Sequence, residues 1–99
     1  MAAYRLTNKA VNDLSDIWNY TYEAWSEKQA DKYYAILLDL CAAIAHKPQL
    51  GKRYDEVHAG LLGYRADHHI IFYRVISVKE IEIVRILHSR MDLRRRIAD

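Results

Sequence analysis

The sequence predicts a single α+β domain over residues 1–99, ordered β-α-α-β-β-β, with an antiparallel helical hairpin packed on a small, mainly antiparallel four-stranded sheet. Apolar residues Val11, Leu14, Trp18, Tyr22 and Trp25 recur at spacings of 3, 4, 4 and 3, which marks one face of an amphipathic helix. Ser26-Glu27-Lys28-Gln29 has the Ser-x-x-Gln form of a capping box, so a second helix starts almost where the first stops. After Pro48 the helical period gives way to the alternation and β-branched runs of strands.

The first element is a short strand, Tyr4-Arg5-Leu6-Thr7, with Tyr4 and Leu6 on one face. Thr7 or Asn8 supplies the N-cap of the first helix. Ala30, Tyr33, Leu37, Leu40, Cys41 and Ile44 form the stripe of the second helix. Pro48 stops it, because the residue before a proline is pushed out of the helical region. Gln49 to Gly60 is a loop, and Leu62-Gly63-Tyr64-Arg65-Ala66 is a strand. Asp67-His68-His69 turns the chain into the strongest strand, Ile70 to Ile76, and Ser77-Val78-Lys79-Glu80 turns it again into the strand Ile81 to His88. Such short links make the last three strands an antiparallel meander. Leu93 to Ala98 is either a last helical turn or a frayed tail. One sheet face buries the hairpin stripes, and the other is expected to meet water or a partner. Leu14, Trp18, Leu37, Ile44, Phe72 and Val84 are the expected core.

Composition narrows the function classes. Hydrophobic residues are 52% and charged residues 28%, the balance of a folding chain rather than a disordered one. A single cysteine, Cys41, excludes a disulfide framework and a Cys-x-x-Cys metal site. No apolar run approaches the length of a membrane span. Met1 to Leu6 has no apolar core and no cleavage pattern, so no signal peptide and a reducing, cytoplasmic location are expected. The net charge is only +2, but residues 51–99 hold 10 Lys/Arg against 7 Asp/Glu, including eight of the nine arginines. That bias points to an acidic partner surface or a nucleic acid, or else to a solvated basic face.

Arg65, Arg74 and Arg85 each fall inside a strand. Either they converge on the open sheet face as a site for phosphates or carboxylates, or they pair across strands with Glu82 or Asp67. His88 ends the last strand beside Arg90 and Asp92, where it is either a general acid–base or a hydrogen-bonded rim residue. His68 and His69 are adjacent and point oppositely, a poor metal pair, and no helix carries a His or carboxylate pair in a metal pattern, so no metal and no cofactor are expected. Cys41 lies in an apolar stripe and reads as packing. No serine elbow and no phosphate-cradling glycine loop are present, so no catalytic residue is assigned. Tyr20, Tyr22, Tyr33 and Tyr34 exceed what a hairpin on one sheet face can bury, and they read as a contact surface for a protein partner or as half-buried rings with wet hydroxyls.

Several segments in combination resemble the RelE/ParE superfamily of toxin–antitoxin toxins, most closely its ParE branch. They are Leu14 with Asp16-Ile17-Trp18, Pro48-Gln49-Leu50-Gly51, Gly63-Tyr64-Arg65, Ile71-Phe72-Tyr73-Arg74-Val75, and Val84 to Asp92. The resemblance covers essentially the whole chain; the turn from Arg65 to His69 is shorter than the Gly/Ser-containing turn of many relatives. It implies a growth-inhibiting toxin, linked to plasmid maintenance and held inactive by a ParD-like antitoxin in a hetero-oligomer. ParE-like toxins poison DNA gyrase, whereas RelE-like toxins cut messenger RNA on the ribosome. The Asp67-His68-His69 turn and the Met91-Asp92 ending follow the ParE pattern, and Asp92 puts negative charge where a nuclease wants cations. Gyrase poisoning by binding is therefore the expected function, with ribosome-dependent RNA cleavage as the alternative. Target binding is expected of Arg65, Arg74, Arg85, His88, Arg90, Arg94, Arg95 and Arg96, the strand arginines and the dense positive charge of the tail. Antitoxin binding is expected of Tyr20, Tyr22, Tyr33 and Tyr34. DNA is expected to be met only through the antitoxin or the gyrase complex.

Overall fold

The computed structural model describes residues 3–98; Met1 and Ala2, part of the segment read for a signal sequence, lie outside the described residues. Strand β1 (Ala3–Leu6) leads into α1 (Asn8–Ala24), α2 (Glu27–His46) and a 3-10 turn at Pro48–Leu50. The chain continues through β2 (Lys52–Arg53), β3 (Leu62–Ala66), β4 (His69–Ser77), β5 (Glu80–His88) and α3 (Leu93–Ala98). The sheet order is β1-β5-β4-β3-β2, with β1 parallel to β5 and every other pair antiparallel.

Local chemistry sets the element ends. Thr7 Oγ1 accepts from Ala10 N at 3.0 Å and caps α1, and Ser26 Oγ accepts from Gln29 N at 3.0 Å and caps α2. Only Trp25 and Ser26 separate the two helices, so they fold back as a hairpin. Asp67 occupies the left-handed region (φ 54°), which Asp tolerates better than most residues, and this allows the short turn from β3 to β4. The sheet has five strands rather than four. The extra one, β2, is two residues long, and no alternation can be read from two residues.

Both helices lie on one sheet face. Leu14 of α1 and Leu37, Cys41 and Ile44 of α2 bury against Ile71, Tyr73, Ile81, Ile83 and Ile86. Burial pushes the Cys41 thiol up to about 12, so this cysteine is packing material rather than a nucleophile. The Tyr73 hydroxyl donates to Pro48 O and accepts from Gly51 N at 2.9 Å, which ties the 3-10 turn to the sheet.

The expectation that the other face lies open is corrected. The segment after β2 and the C-terminal helix cover it. Tyr54, Leu61, Ile70, Phe72 and Leu87 form a second buried cluster, joined by Val57, Val84, Leu93 and Ile97. Tyr54 lies so close over β3 that a Cβ at Gly63 would sit 2.6 Å from its ring, so only glycine fits there. Two expected core residues are also corrected. Val84 is partly buried at the edge of this second cluster. Trp18 is partly exposed; it stacks on Tyr22 at 5.3 Å and donates its indole N–H to Asp31 Oδ1 at 3.0 Å, which latches α1 to α2 from outside. Leu14, Leu37, Ile44 and Phe72 are buried as expected.

Candidate functional site: an arginine-rich edge and a histidine cleft

Strand β1 ends opposite Ile83, so β5 has no strand neighbour on that side from Val84 onward. The start of α1 takes over the exposed edge. Thr7 N donates to Ile83 O at 3.1 Å, and Thr7 Oγ1 donates to Val84 O at 2.7 Å. Farther along α1, Asp13 Oδ2 accepts from Ile86 N at 3.0 Å. The same carboxylate grips Arg85 in a two-pronged pair, Nε to Oδ2 at 2.8 Å and Nη2 to Oδ1 at 2.9 Å. Arg85 Nη1 reaches on to Arg96 O in α3 at 2.8 Å. The two side chains are only 12% and 11% exposed.

Arg85 is therefore not part of a guanidinium cluster on an open face. A bulge causes this. Phe72 faces Arg85 and Tyr73 faces Ile83, so Val84 is an extra residue, and it turns Arg85 toward the free edge. Arg65 and Arg74 do not converge either. Arg65 is paired with Ile70, four residues along β4 from Arg74, a separation of about 13 Å at 3.3 Å per residue. Arg65 Nε donates to Asp67 O at 3.3 Å, and both arginines are exposed.

Four exposed arginines instead lie together on and beside α3. Asp92 caps this helix by accepting from Arg95 N at 3.2 Å, and Leu93 and Ile97 seat it on the second cluster. Arg94 bonds Glu56 O, and Arg90, Arg94, Arg95 and Arg96 are exposed. His88, at the end of β5, is half-buried, and its Nδ1 accepts from Arg90 N at 3.1 Å, so its free proton sits on Nε2.

The four tyrosines do not form one patch. Tyr22 belongs to the Trp18 stack. Tyr34 is turned about 100° from Tyr33 around α2 and is exposed. Tyr20 and Tyr33 line a cleft of about 630 Å³ between the hairpin bend, the β3–β4 turn and the end of β5. The Tyr33 hydroxyl lies 2.8 Å from His69 Nδ1 and 3.3 Å from Ala66 O. Both contacts are satisfied when His69 carries its proton on Nδ1 and donates to Tyr33, which donates to Ala66 O. His69 faces His88 across the strands with ring centroids 5.4 Å apart, and His68 stacks on His88 at 6.1 Å. Along the chain His68 and His69 are only neighbours that point oppositely; the partner that groups them, His88, lies a whole hairpin away.

Burial holds His69 down to about 4, helped by His88 and His68 and opposed by Asp67 and Asp13. Burial, with the Asp67 carboxylate adding to it, pushes Tyr33 up to about 12. The unfolded chain protonates His69 below about 6.5 but the folded chain only below about 4. Stability from the neutral ring is thus complete above about 6.5 and is lost as the pH falls towards 4. Allowing for solvent screening at this half-buried ring, the loss is about 1–2 kcal/mol. Urea midpoints at pH 7.5 and 4.5 check this: the drop should be smaller in a His69→Gln variant, and an equal drop would contradict the assignment.

The whole chain has known relatives. The family model described as the ParE toxin of a type II toxin–antitoxin system, parDE, matches residues 4–93. The chain is 36% identical over 94 residues to Toxin ParE1 of Mycobacterium tuberculosis, covering 95% of this chain and 96% of the relative. It is 37% identical over 94 residues to Toxin ParE1 of Caulobacter vibrioides, with coverage of 95% and 96%. It is also 36% identical over 99 residues to Toxin ParE of Escherichia coli, with coverage of 100% and 96%. Among solved structures, a chain of the chromosomal ParDE system of P. aeruginosa superposes with a TM-score of 0.76 at 21% identity, over 89% of this chain and 96% of that one. A chain of the RelBE2 toxin–antitoxin complex of M. tuberculosis gives 0.63 at 20% identity, over 89% and 98%. The fold, the near-complete match to the family and the extended identity to several ParE toxins agree: this chain belongs to the ParE toxin family of type II toxin–antitoxin systems.

Proposed function

We propose that this toxin acts in the cytoplasm by binding and poisoning DNA gyrase, without chemistry of its own, and that a ParD-like antitoxin neutralises it. The observation that carries the reading is the capture of Arg85 by Asp13 and Arg96 O. Cleaving RNA at a 2′-hydroxyl needs cations around one phosphate and a positioned acid and base. Here the three strand arginines are dispersed, and one is committed to an internal pair. What the chain offers is a binding surface: Arg90, Arg94, Arg95 and Arg96 around α3, with His88 at its border and Arg65 and Arg74 exposed at two separate places. An acidic partner surface fits it. For the antitoxin, Tyr20, Tyr22, Tyr33 and Tyr34 offer aromatic area along the hairpin, of which Tyr20 is 65% exposed. Contact with DNA runs through the antitoxin or the gyrase complex.

The second reading, a ribosome-dependent ribonuclease of RelE type, is favoured by one grouping, Tyr33, His69 and His88. One experiment separates the two. The chain is expressed in bacteria with and without its antitoxin while plasmid supercoiling, double-strand breaks and messenger RNA ends are followed together. Double-strand breaks with intact transcripts are expected. Contacts within a patch act through affinity, so losses are graded. His88→Ala should lower growth inhibition only in part, and joint replacement of Arg94, Arg95 and Arg96 by alanine should lower it more. Loss of a catalytic proton carrier costs about 10²–10⁴-fold in rate. Cut transcripts, with toxicity abolished in a folded His88→Ala variant and retained in the triple variant, would overturn the gyrase reading.

A further inference from the structure

The cleft beside His69 has a character opposite to the rest of the second half of the chain. That half carries eight of the nine arginines, yet among the described residues no lysine or arginine lines the cleft. Its acidic side chains are Asp16, on α1, and Asp67, in the β3–β4 turn. Among the described residues neither forms a Lys or Arg ion pair: Asp67 contacts His68 at 3.9 Å, and Arg65, its neighbour, bonds the Asp67 backbone carbonyl instead. His69, at the back, stays neutral at physiological pH because it is buried. The wall is aromatic. Trp25, at the hairpin bend, is 78% exposed, and Tyr20 is 65% exposed. Tyr33 lies deeper, its hydroxyl engaged with His69 and Ala66.

An aromatic wall with two carboxylates and no cation is poorly suited to an anion. It suits a positive side chain, whose charge is attracted to ring faces and to carboxylates while its methylene stem packs on apolar surface. A bare apolar anchor would gain nothing from Asp16 and Asp67 and would have to desolvate them. Exposed tryptophan and tyrosine at the mouth, with Met91 beside them, are the kind of surface that a protein partner covers.

We infer that this cleft is a receptor for a basic side chain, an arginine or a lysine, presented by a protein partner. The site adjoins the cationic surface of α3 at His88 and shares Tyr20 and Tyr33 with the proposed antitoxin surface, but it needs neither the gyrase nor the ribonuclease reading. It gives one small toxin two contacts of opposite sign, so a partner that satisfies both must carry acidic and basic groups at a set spacing, which excludes partners of uniform charge.

The test uses the full chain and N-acetyl-arginine amide as probe, followed by NMR at the indole N–H of Trp25 and the ring protons of His68 and His88. The indole of Trp18, bonded to Asp31 outside the cleft, is the internal reference and should stay still. Saturable shifts at Trp25 are expected. N-acetyl-citrulline amide has nearly the same shape without the charge and should bind about tenfold more weakly. In a D16N/D67N variant the arginine probe should weaken by a similar factor; asparagine tolerates the left-handed backbone at position 67, and an unmoved Trp18 signal reports that the fold is intact. Equal binding of the two probes, an unaffected D16N/D67N variant, or stronger binding of N-acetyl-phenylalanine amide would overturn the inference.

Discussion

Asp13→Ala is expected to lower the unfolding free energy by about 3–5 kcal/mol, because it takes the carboxylate acceptor from two donors of a nearly buried guanidinium and from a backbone N–H. Asp13 meets three donors at once: two from Arg85 and the backbone N–H of Ile86. The Arg85 side chain is only 12% exposed, so water cannot fully replace the lost carboxylate. The Ile86 N–H loses its acceptor too, and β5 has no neighbouring strand there to supply another. For a domain of this size each kcal/mol shifts the melting point by about 4–8 °C, so thermal unfolding reads the effect directly. Removing both charges should hurt far less: a D13L/R85M variant should recover most of the loss, since a well-packed apolar pair often equals a buried ion pair. A melting point for Asp13→Ala within a few degrees of the parent would show that the pair does not hold α1 to β5. The pair matters for function because the same Arg85 also holds the backbone of α3 at Arg96, so loosening it should loosen the cationic surface as well.

Phe72→Ala should cost about 3–5 kcal/mol through the cavity it leaves. Phe72 is fully buried, with its ring edge-on to Tyr54 at 5.1 Å. Its cavity would open in the second cluster, the one that seats the segment from Tyr54 to Leu61 and the Leu93 and Ile97 anchors of α3. Stability is therefore not the only readout. Hydrogen exchange should rise first in α3 and in the Tyr54 segment, while the hairpin side, packed on the other sheet face, loses less protection. Leu37→Ala makes the comparison: it empties the first cluster at a cost of about 2–5 kcal/mol and should expose the hairpin instead. A Phe72→Ala protein with an unchanged melting point, or with exchange rising equally everywhere, would mean that the second face of the sheet is not a packed core.

The elements that were legible in the sequence are those whose signal is local. The stripe from Val11 to Trp25, the capping box at Ser26 and the stop at Pro48 each depend on residues within a turn or two of one another. The two helices and their caps follow from such signals, as do the three alternating strands. The motifs from Gly63 to Asp92 led to the family in the same way, since a family is recognised along the chain. What was not legible depends on which residues meet across the sheet. The cover on the second face comes from Tyr54, Val57 and Leu61, apolar residues in an irregular loop with no period to reveal them.

The arginines make the same point at the site. From the chain alone, Arg65, Arg74 and Arg85 are three similar residues in three strands, free either to converge or to pair separately. The sheet decided otherwise. Register set Arg65 and Arg74 four residues apart on β4, and a single extra residue at Val84 turned Arg85 to the edge, where Asp13 of α1 was waiting as its partner. His69 and His88 are 19 positions apart in sequence, and only strand pairing makes them neighbours. By itself the sequence determined the two long helices, the three long strands, the family and the sign of the charge on the tail, because propensity, capping and charge are properties of neighbouring residues. Tertiary structure alone decided which charges are held inside, which remain outside, and where a cleft of opposite sign opens, because burial and pairing exist only once distant segments are brought together.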